Sequence, residues 1–351
     1  KSLMEDQQAV ALLHDLCATY SPSAHEEEAV TLLVDRANAS GLCAHTDDAG
    51  NFVAERGSGK RTVLLLGHID TVPGFIEPRL EGNLLHGRGT VDAKGPLAAF
   101  LVAIARASHQ NDVRLITIGA VEEEAPTSKG AHYIIDKYQP EAVIIGEPSG
   151  TSGITIGYKG RVTLKLEATQ AHTHTAAAKR SVSAHAAEFW TRLEDWCNSF
   201  NQGKRIFDQV DPHLININSQ TDHFQDQVNL SGSLRLPLNY SLEDLKTKTS
   251  ALAATWGHVT LTHFVQPFKA ERRTPLVRAL LREIRKEGLE PIFKLKTGTS
   301  DMNVVGPAWK CPIVAYGPGD SRLDHTAEEH INIQDYLKSI AILTRVLDGW
   351  V

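Results

Sequence analysis

Four short polar clusters in this chain each follow an apolar run, and their residue types are those of metal ligands. The clusters are Gly67-His68-Ile69-Asp70, Asp92-Ala93-Lys94-Gly95, Glu122-Glu123-Glu124 and Gly146-Glu147-Pro148, and a fifth group, Asp324-His325-Thr326, lies near the C-terminus. In open α/β sheets, ligands bind at the carboxyl ends of the strands, so side chains that follow several strands are expected to meet. Imidazoles and carboxylates without a thiolate suit zinc, manganese or cobalt. The predicted chemistry is metal-assisted hydrolysis of an amide.

Each of these groups also has a structural interpretation when it is taken alone. Asp92 precedes a predicted helix, where Asp is a common N-cap residue, Glu147 suits a turn, and His325 suits a structural position in a loop. Three adjacent carboxylates repel one another unless water or cations neutralise them. Glu122-Glu123-Glu124 is therefore either a solvated loop or part of a metal site. Taken jointly, the five groups favour the metal site.

The spacing of these residues also suggests their roles. His68 and Asp70 are two residues apart, so in an extended segment their side chains share a face, and Asp70 is predicted to orient the His68 ring. The two carboxylate oxygens of Asp92 are predicted to bridge two metal ions. Glu124 is predicted to bind metal, and Glu123 is predicted to act as general base on the attacking water.

The elements that must position these residues alternate between helices and strands. Apolar residues recur at helical spacing from about Met4 to Ala39 and again from Pro96 to Ile104. Short apolar runs typical of buried strands lie at Thr62–Leu66, Val113–Val121 and Ala142–Ile145. This order predicts an α/β domain with a mixed, mostly parallel sheet.

The pattern changes after Gly153 and returns to the earlier one at about Pro275. Between them the order strand-helix-strand-strand-helix-strand predicts a ferredoxin-like α+β unit. We therefore expect a discontinuous catalytic domain at residues 1–156 and 266–351, with an inserted domain at 157–265.

The overall composition excludes several classes of function. The 351 residues suggest two domains, and a net charge of −6 gives no footprint for nucleic acid. No apolar stretch is long enough to span a bilayer, and the first residues lack the apolar core of a signal peptide. The four cysteines are scattered, which is typical of free thiols in a reducing compartment. A cytoplasmic location is expected.

In this order the motifs resemble the zinc aminoacylase family, which includes acetylornithine deacetylase, succinyl-diaminopimelate desuccinylase and related carboxypeptidases. The segments that carry the resemblance are Gly67-His68-Ile69-Asp70-Thr71-Val72-Pro73 and Gly87-Arg88-Gly89-Thr90-Val91-Asp92-Ala93-Lys94-Gly95, and it extends over nearly the whole chain. It implies two divalent metal ions, with zinc expected and cobalt or manganese as alternatives. The ligands implied are His68 and Glu147 for one ion, Glu124 and His325 for the other, and Asp92 as the bridge.

The resemblance also implies a role for the inserted domain as lid and dimerisation domain. In a homodimer one of its His residues would reach the partner's active site and stabilise the oxyanion. The corresponding segment here is Ala171-His172-Thr173-His174-Thr175, which lacks the usual Gly. Ser183-Ala184 follows His174 at the family's distance, so His174 fits best, and His172 remains open.

Two further residues of the inserted domain match the family's pattern. Asn229 is implied to help hold the oxyanion, and Arg235 to bind a substrate carboxylate, for which a guanidinium is well suited. A strand Asn and a surface Arg are the alternative interpretations.

The segments Glu122–Gly130 and Lys296–Asp301 resemble the branch of the family that serves lysine biosynthesis. That branch releases lysine or ornithine from an N-acyl precursor or from an acidic amino-group carrier protein. Asp301 is implied to contact a substrate amino group, and the basic stretch Tyr158–Val182 either steers the carrier or forms a solvated lid surface. Two alternatives remain: a metallo-carboxypeptidase or dipeptidase, and an inactive relative that serves as a binding or scaffold protein.

Overall fold

The computed structural model describes residues 4–108, 112–174, 176 and 178–350. Residues 1–3 and 351 of the predicted catalytic domain and Thr175 of the predicted His segment lie outside the described residues. The helices are α1 (Asp6–Ala18), α2 (Glu27–Ala39), α3 (Lys94–Arg106), α4 (Lys129–Ile134), α5 (Val182–Asn201), α6 (Leu242–Ala253), α7 (Pro275–Lys286), α8 (Asp301–Trp309) and α9 (Ile333–Asp348). None of the described helices is both long enough and apolar enough to cross a membrane.

The strands fall into three sheets. They are β1 (Cys43–Thr46), β2 (Phe52–Arg56), β3 (Arg61–His68), β4 (Arg79–Glu81), β5 (Leu84–His86), β6 (Val113–Ala120), β7 (Ala142–Ile145), β8 (Gly153–Tyr158), β9 (Gly160–Ala171), β10 (Asp211–Thr221), β11 (Gln225–Leu236), β12 (His258–Val265), β13 (Phe268–Lys269), β14 (Ile292–Lys296), β15 (Ile313–Ala315) and β16 (His330–Asn332).

Contacts within the chain divide it into two units. The larger unit contains residues 4–157, 270–295 and 300–350, and the inserted unit contains residues 158–269. The contacts also group Lys296–Thr299 with the inserted unit, a segment that the sequence analysis left in the catalytic domain.

The larger unit is built on a mixed sheet with the order β1-β2-β6-β3-β7-β15-β8. The four central strands, from β6 to β15, run parallel, and the flanking pairs are antiparallel. The prediction of a mixed α/β sheet is therefore confirmed. Val63–Leu66 of β3 are all buried, because a central parallel strand is covered by helices on both faces.

Helix α3 packs closely against this sheet beneath the carboxyl ends of its strands. All residues from Lys94 to Ala105 are buried, as expected for a helix that is apolar on all sides. The approach depends on glycine. A Cβ on Gly67 would lie 3.2 Å from Leu97, and a Cβ on Gly146 would lie 2.8 Å from the ring of Phe100. Gly67 and Gly146, which precede His68 and Glu147, thus allow the strand ends to pack closely against α3.

The inserted unit contains an antiparallel sheet with the order β10-β11-β9-β12. With helices α5 and α6 between its strands, this is the ferredoxin-like arrangement that the sequence predicts. Side chains alternate along β9, so that Val162, Leu164 and Leu166 are buried. They belong to one apolar cluster with Phe189 and Leu193 of α5. The opposite face of the sheet is polar.

Candidate active site

The predicted ligands lie at one edge of the central sheet. His68 is the last residue of β3, Glu122–Glu124 follow β6, and Glu147 follows β7. These three strands are parallel neighbours, so their carboxyl ends lie side by side. Asp92 comes from the loop before α3, which begins at Lys94 with Ala93 as its N-cap. The N-cap interpretation of Asp92 is therefore wrong, and its carboxylate is available for the cluster.

Asp92 lies between the two histidines. Its Oδ1 is 3.2 Å from His68 Nε2, and its Oδ2 is 2.9 Å from His325 Nε2. Each carboxylate oxygen therefore faces a different imidazole, which is the arrangement that a carboxylate bridge between two cations requires.

The glutamates divide between the two ends of this bridge. Glu124 Oε1 is 2.9 Å from His325 Nε2, whereas Glu147 Oε1 is 3.8 Å from His68 Nε2. Potential ligand atoms of His68, Asp92 and Glu124 all lie within 4.8 Å of one another. The cluster contains only nitrogen and oxygen donors, so it fits a pair of divalent ions such as zinc, cobalt or manganese. His68 and Glu147 thus lie at one end of the Asp92 carboxylate, and Glu124 and His325 lie at the other.

Asp70 holds two parts of the site together. Its backbone carbonyl is 3.0 Å from His68 Nδ1, closer than its carboxylate Oδ1 at 3.4 Å. The carboxylate also accepts hydrogen bonds from the backbone N–H groups of Glu123 and Glu124 and from Ser23 Oγ. Burial would raise the pKa of Asp70, but these donors and His68 lower it below its ordinary value. Asp70 therefore contacts the His68 ring and also holds the backbone of the Glu123-Glu124 turn.

Buried negative charge dominates the electrostatics of the cluster. Burial, together with neighbouring acids, raises the pKa of Glu123 and Glu147 well above the ordinary range. Hydrogen bonds with Asp92 and Glu124 raise the pKa of His325 to about 10. Burial alone would lower the pKa of His68, but the charge of Glu123 and bonds to nearby carboxylates raise it well above its ordinary value. The two histidines, Glu124 and Glu147 therefore hold protons more tightly than usual when no cation is bound. Asp92 is the exception, because hydrogen bonds with the two histidines lower its pKa despite its burial.

Asp301, the first residue of α8, lies near this cluster. It is 2% exposed, and neither of its carboxylate oxygens has a hydrogen-bond partner among the described residues. Burial raises its pKa to about 7. Its charge in turn raises the pKa of Glu123 and Glu147. Asp301 is thus a buried carboxylate without a partner, close to the predicted general base.

Sequence reasoning did not identify Glu329, which fixes the loop that carries Asp92. Its Oε1 accepts hydrogen bonds of 3.0 Å from the backbone N–H groups of Gly89, Val91 and Asp92. Its Oε2 accepts one of 2.7 Å from Arg88. In the sequence Glu329 is one of two adjacent glutamates after His325. The only sequence signal for Glu329 is that it lies close to His325, and no other motif in the chain shows that spacing.

Arg88 extends this connection to the second histidine. Its Nη1 donates to Glu329 and also to the carbonyl of Thr326, the residue after His325. Arg88 and Glu329 together therefore link the Asp92 loop to the His325 loop. Neither side chain has an atom among the predicted ligands, so their effect on the site is positional.

The remaining predicted residues lie in the inserted unit. His172 Nδ1 is 2.8 Å from Asp226 Oδ1, whereas His174 is exposed and accepts a hydrogen bond from the backbone N–H of Ala176. His172 is thus held by a carboxylate of its own chain. Asn229 is exposed on β11, and Arg235 donates to Thr299 Oγ1 at 3.4 Å.

Comparison with known proteins places this cluster in context. The model of the family described as "Peptidase family M20/M25/M40" matches residues 64–349 of this chain. The [LysW]-lysine hydrolase of Deinococcus radiodurans is 40% identical over 97% of this chain and 96% of its own length. A putative [LysW]-lysine/[LysW]-ornithine hydrolase of Thermococcus kodakarensis is 38% identical over 99% of this chain and 93% of its own.

Solved structures share the fold at lower identity. The aminopeptidase PepT of Bacillus cereus has a TM-score of 0.79 at 19% identity and covers 99% of both chains. The metallo-carboxypeptidase Sso-CP2 of Sulfolobus solfataricus has a TM-score of 0.79 at 19% identity, over 98% of this chain and 99% of its own. At this identity the likeness is evidence for the fold alone.

We predict that metal binding releases protons. The pKa of His325 is about 10 and that of His68 is also raised, so both rings are protonated at pH 7 without metal, and a cation must displace those protons. Zinc should therefore release protons at pH 7, and its affinity should rise with pH. Titration calorimetry in buffers of different ionisation enthalpy measures the number. Heats that do not depend on the buffer would contradict the prediction.

We predict that Glu329→Gln weakens metal binding without removing a ligand. The amide turns one acceptor into a donor, which opposes Arg88 or the backbone N–H groups of the Asp92 loop. Loss of such a supporting group typically lowers metal affinity about 10–100-fold, and competition with a chelating dye measures it. The control is Glu328→Gln, which changes the exposed neighbour. Equal zinc affinity in both folded variants would show that Glu329 does not position Asp92.

Proposed function

This chain belongs to peptidase family M20/M25/M40. We propose that it releases lysine or ornithine from an amino-group carrier protein. It is an amidohydrolase of that family, and the relatives named above carry the [LysW]-lysine or [LysW]-ornithine description. The observation that carries the proposal is the Asp92 carboxylate, with one oxygen facing His68 and the other facing His325. This geometry supports metal-dependent hydrolysis, and the named relatives suggest the substrate class.

The geometry of the cluster supports the proposed set of metal ligands. His68 and Glu147 would hold one ion, Glu124 and His325 would hold the other, and Asp92 would contact both. Zinc is proposed because the donors are imidazole and carboxylate, and cobalt or manganese suits the same set. When bound, the ions activate the attacking water and stabilise the negative charge that develops on the amide oxygen.

Glu123 is proposed as the general base. Its backbone N–H is fixed by Asp70 Oδ1 at 3.0 Å, and its Oε2 lies 3.8 Å from His68 Nε2. The carboxylate is thus near the ligands, but unlike those of Asp92 and Glu124 it lies beyond hydrogen-bond distance of the imidazole it faces. Burial and the neighbouring acids raise its pKa, which strengthens it as a base. Glu123 takes a proton from the attacking water and delivers it to the leaving amine.

Residues of the inserted unit complete the proposed reaction. His174 is favoured over His172 as the group that stabilises the oxyanion, because His172 is bound to Asp226 and His174 contacts no carboxylate among the described residues. Asn229 assists at the oxyanion, and Arg235 binds the carboxylate of the amino acid that is released.

The proposed assembly is a homodimer through the inserted unit. Strand β10 lies at the edge of its sheet and exposes Leu214, Ile215 and Ile217, with Ile215 61% exposed. A long edge strand with exposed apolar side chains is a surface that another chain can pair with. A cytoplasmic location is proposed as well, since the cysteines of the chain are free.

The basic stretch Tyr158–Val182 gives little support to steering of an acidic carrier. Lys159 is buried and paired with Asp211, and Arg180 is paired with Glu188. Two of the five basic residues of this stretch are thus paired with acids of the unit. The carrier is therefore proposed from the relatives rather than from this stretch.

The buried carboxylate of Asp301 is proposed to contact the side-chain ammonium of the lysine or ornithine. A buried carboxylate without a partner is costly unless a cation or hydrogen-bond donor reaches it, and both products supply such a group. A dipeptidase or carboxypeptidase would use the same metal cluster, so the identity of the substrate has to be tested directly.

We predict that Glu123→Gln retains both metal ions but loses about 10²–10⁴-fold in kcat, because the amide cannot accept the proton. Turnover of an N-acyl-lysine and elemental analysis of the purified protein measure the two effects. Glu122→Gln is the matched control, since Glu122 contacts Thr127 and Lys129 rather than the ligands. A Glu123→Gln enzyme as active as the Glu122→Gln enzyme would rule out the proposed base.

We predict that carrier-linked lysine or ornithine is hydrolysed with a higher kcat/KM than acetyl-lysine or any dipeptide in a zinc-loaded assay. Asp301→Asn should lower kcat/KM for N-acetyl-lysine about 10–100-fold, as for loss of a charged hydrogen bond. The same variant should change kcat/KM for N-acetyl-norleucine much less, because the norleucine side chain has no amine. A preference for dipeptides would favour the peptidase alternative, and equal losses on both acetylated substrates would exclude the ammonium contact.

A further inference from the structure

The turn that carries the proposed base is held by side chains from three other segments. The N–H of residue 121 donates to Asn51 Oδ1 at 3.0 Å, and the N–H of Glu122 donates to Glu26 Oε1 at 3.1 Å. The N–H groups of the next two residues donate to Asp70. Four successive N–H groups at residues 121–124 therefore depend on side-chain acceptors. Glu26 is the acceptor for the residue directly before the base.

Glu26 also holds the loop in which it lies. The same oxygen, Oε1, accepts a 2.9 Å hydrogen bond from the N–H of Ala24, and the neighbouring Ser23 Oγ donates to Asp70 Oδ2 at 2.6 Å. Glu26 is 5% exposed, and a buried carboxylate is costly unless donors reach it. Among the described residues, the N–H groups of Ala24 and Glu122 are the donors that reach this one. The loop before α2 and the turn after β6 are thus joined at one oxygen atom.

Both residues that donate to this oxygen have an unfavourable backbone conformation. Ala24 has a φ of +70° and Glu122 has a φ of +58°, which is the left-handed region that a Cβ disfavours. Residues other than glycine stay in such a conformation where their surroundings hold them there. Loss of the acceptor would therefore release Glu122, and Glu123 is the next residue. The base would keep its carboxylate but lose its fixed position.

We propose that Glu26 is a positioning residue for Glu123, and that it acts through its acceptor oxygen rather than through its charge. Burial raises the pKa of the Glu26 carboxyl above its ordinary value despite the two N–H donors, and the charge of Asp70 raises it further. A neutral acceptor of the same shape should therefore serve in its place. Asp70 holds the backbone of Glu124, so the metal ions should be affected less than the base. This role of Glu26 rests on the proposed function, in which Glu123 is the general base.

The first test compares the steady-state kinetics of three Glu26 variants in the zinc-loaded enzyme. Glu26→Met removes the acceptor and should lower kcat for N-acetyl-lysine about 10–100-fold, because a displacement of about 1 Å can cost that much. Its KM and zinc content should stay near those of the parent. Glu26→Gln keeps the acceptor without the charge and should keep most of the parent's kcat. Glu26→Asp keeps the charge but withdraws the oxygen, so its kcat should fall between those of Glu26→Gln and Glu26→Met.

The matched control is Glu28→Met, which makes the same change at an exposed position of α2 and should leave kcat at the parent's value. Glu26→Asp also provides the comparison if Glu26→Met fails to fold. A kcat like the parent's in a folded Glu26→Met enzyme, or equal losses in Glu26→Gln and Glu26→Met, would overturn the proposal.

A double variant distinguishes a positioning role from a general effect on the fold. In the Glu123→Gln enzyme the base is absent, so a group that acts through the base has nothing left to position. Adding Glu26→Met to Glu123→Gln should therefore change kcat less than about threefold. A further loss as large as that of the single Glu26→Met variant would show that Glu26 supports the fold rather than the base, and the proposal would be wrong.

Hydrogen exchange separates this role from the proposed function, because it needs no turnover. Glu26→Met should speed exchange of the N–H groups of residues 121–124 about 10-fold or more, whereas Glu26→Gln and Glu28→Met should leave it near the parent's rate. If the parent hydrolyses no N-acyl amino acid but exchange responds in this way, the function is wrong and the hold of Glu26 on the turn stands. If exchange is unchanged in Glu26→Met, the positioning role is wrong whatever the enzyme hydrolyses.

Discussion

The crowding of negative charge at one edge of the sheet is the constraint on which the rest of the structure depends. Asp92, Glu123, Glu124 and Glu147 are each at most 12% exposed, and two imidazoles lie among them. Carboxylates so close together cannot all be ionised without cations or protons. Charge of this kind persists in a fold only when something binds to it. A pair of divalent ions would neutralise these carboxylates, and the donors needed to bind the ions are already present. The geometry therefore points to metal-assisted hydrolysis.

Much of the fold and of the site could be predicted because both follow from local pattern. The buried runs of β3, β6 and β7 and the order of the inserted unit are encoded in periodicity, and ligands that follow parallel strands have to converge. Strands β1 and β2 were not predicted, since they are short and lie towards the edge of the sheet. Helix α8 was not predicted either, although its N-cap Ser300 and Asp301 were within a recognised segment.

The part of the site that sequence could not supply depends on contacts between distant backbone groups. Glu329 accepts hydrogen bonds from the Asp92 loop, 237 positions earlier in the chain. No periodicity or spacing records such a pairing, because its donors are N–H groups that every residue but proline carries.

The buried carboxylates can be sorted by what satisfies them, and the sorting separates support from chemistry. Asp70 and Glu329 accept hydrogen bonds from backbone N–H groups of other loops. Their negative charge is therefore stabilised by these donors, and the hydrogen bonds hold the loops of the site in place. The Asp92 carboxylate instead contacts the imidazoles of His68 and His325, so it is placed to bind cations together with them. Asp301 has neither arrangement, Glu123 has only a 3.8 Å ion pair with His68, and burial raises the pKa of both. A carboxylate that the fold leaves unsatisfied is the kind that a substrate or a transferred proton can satisfy, and both proposed roles follow from that difference.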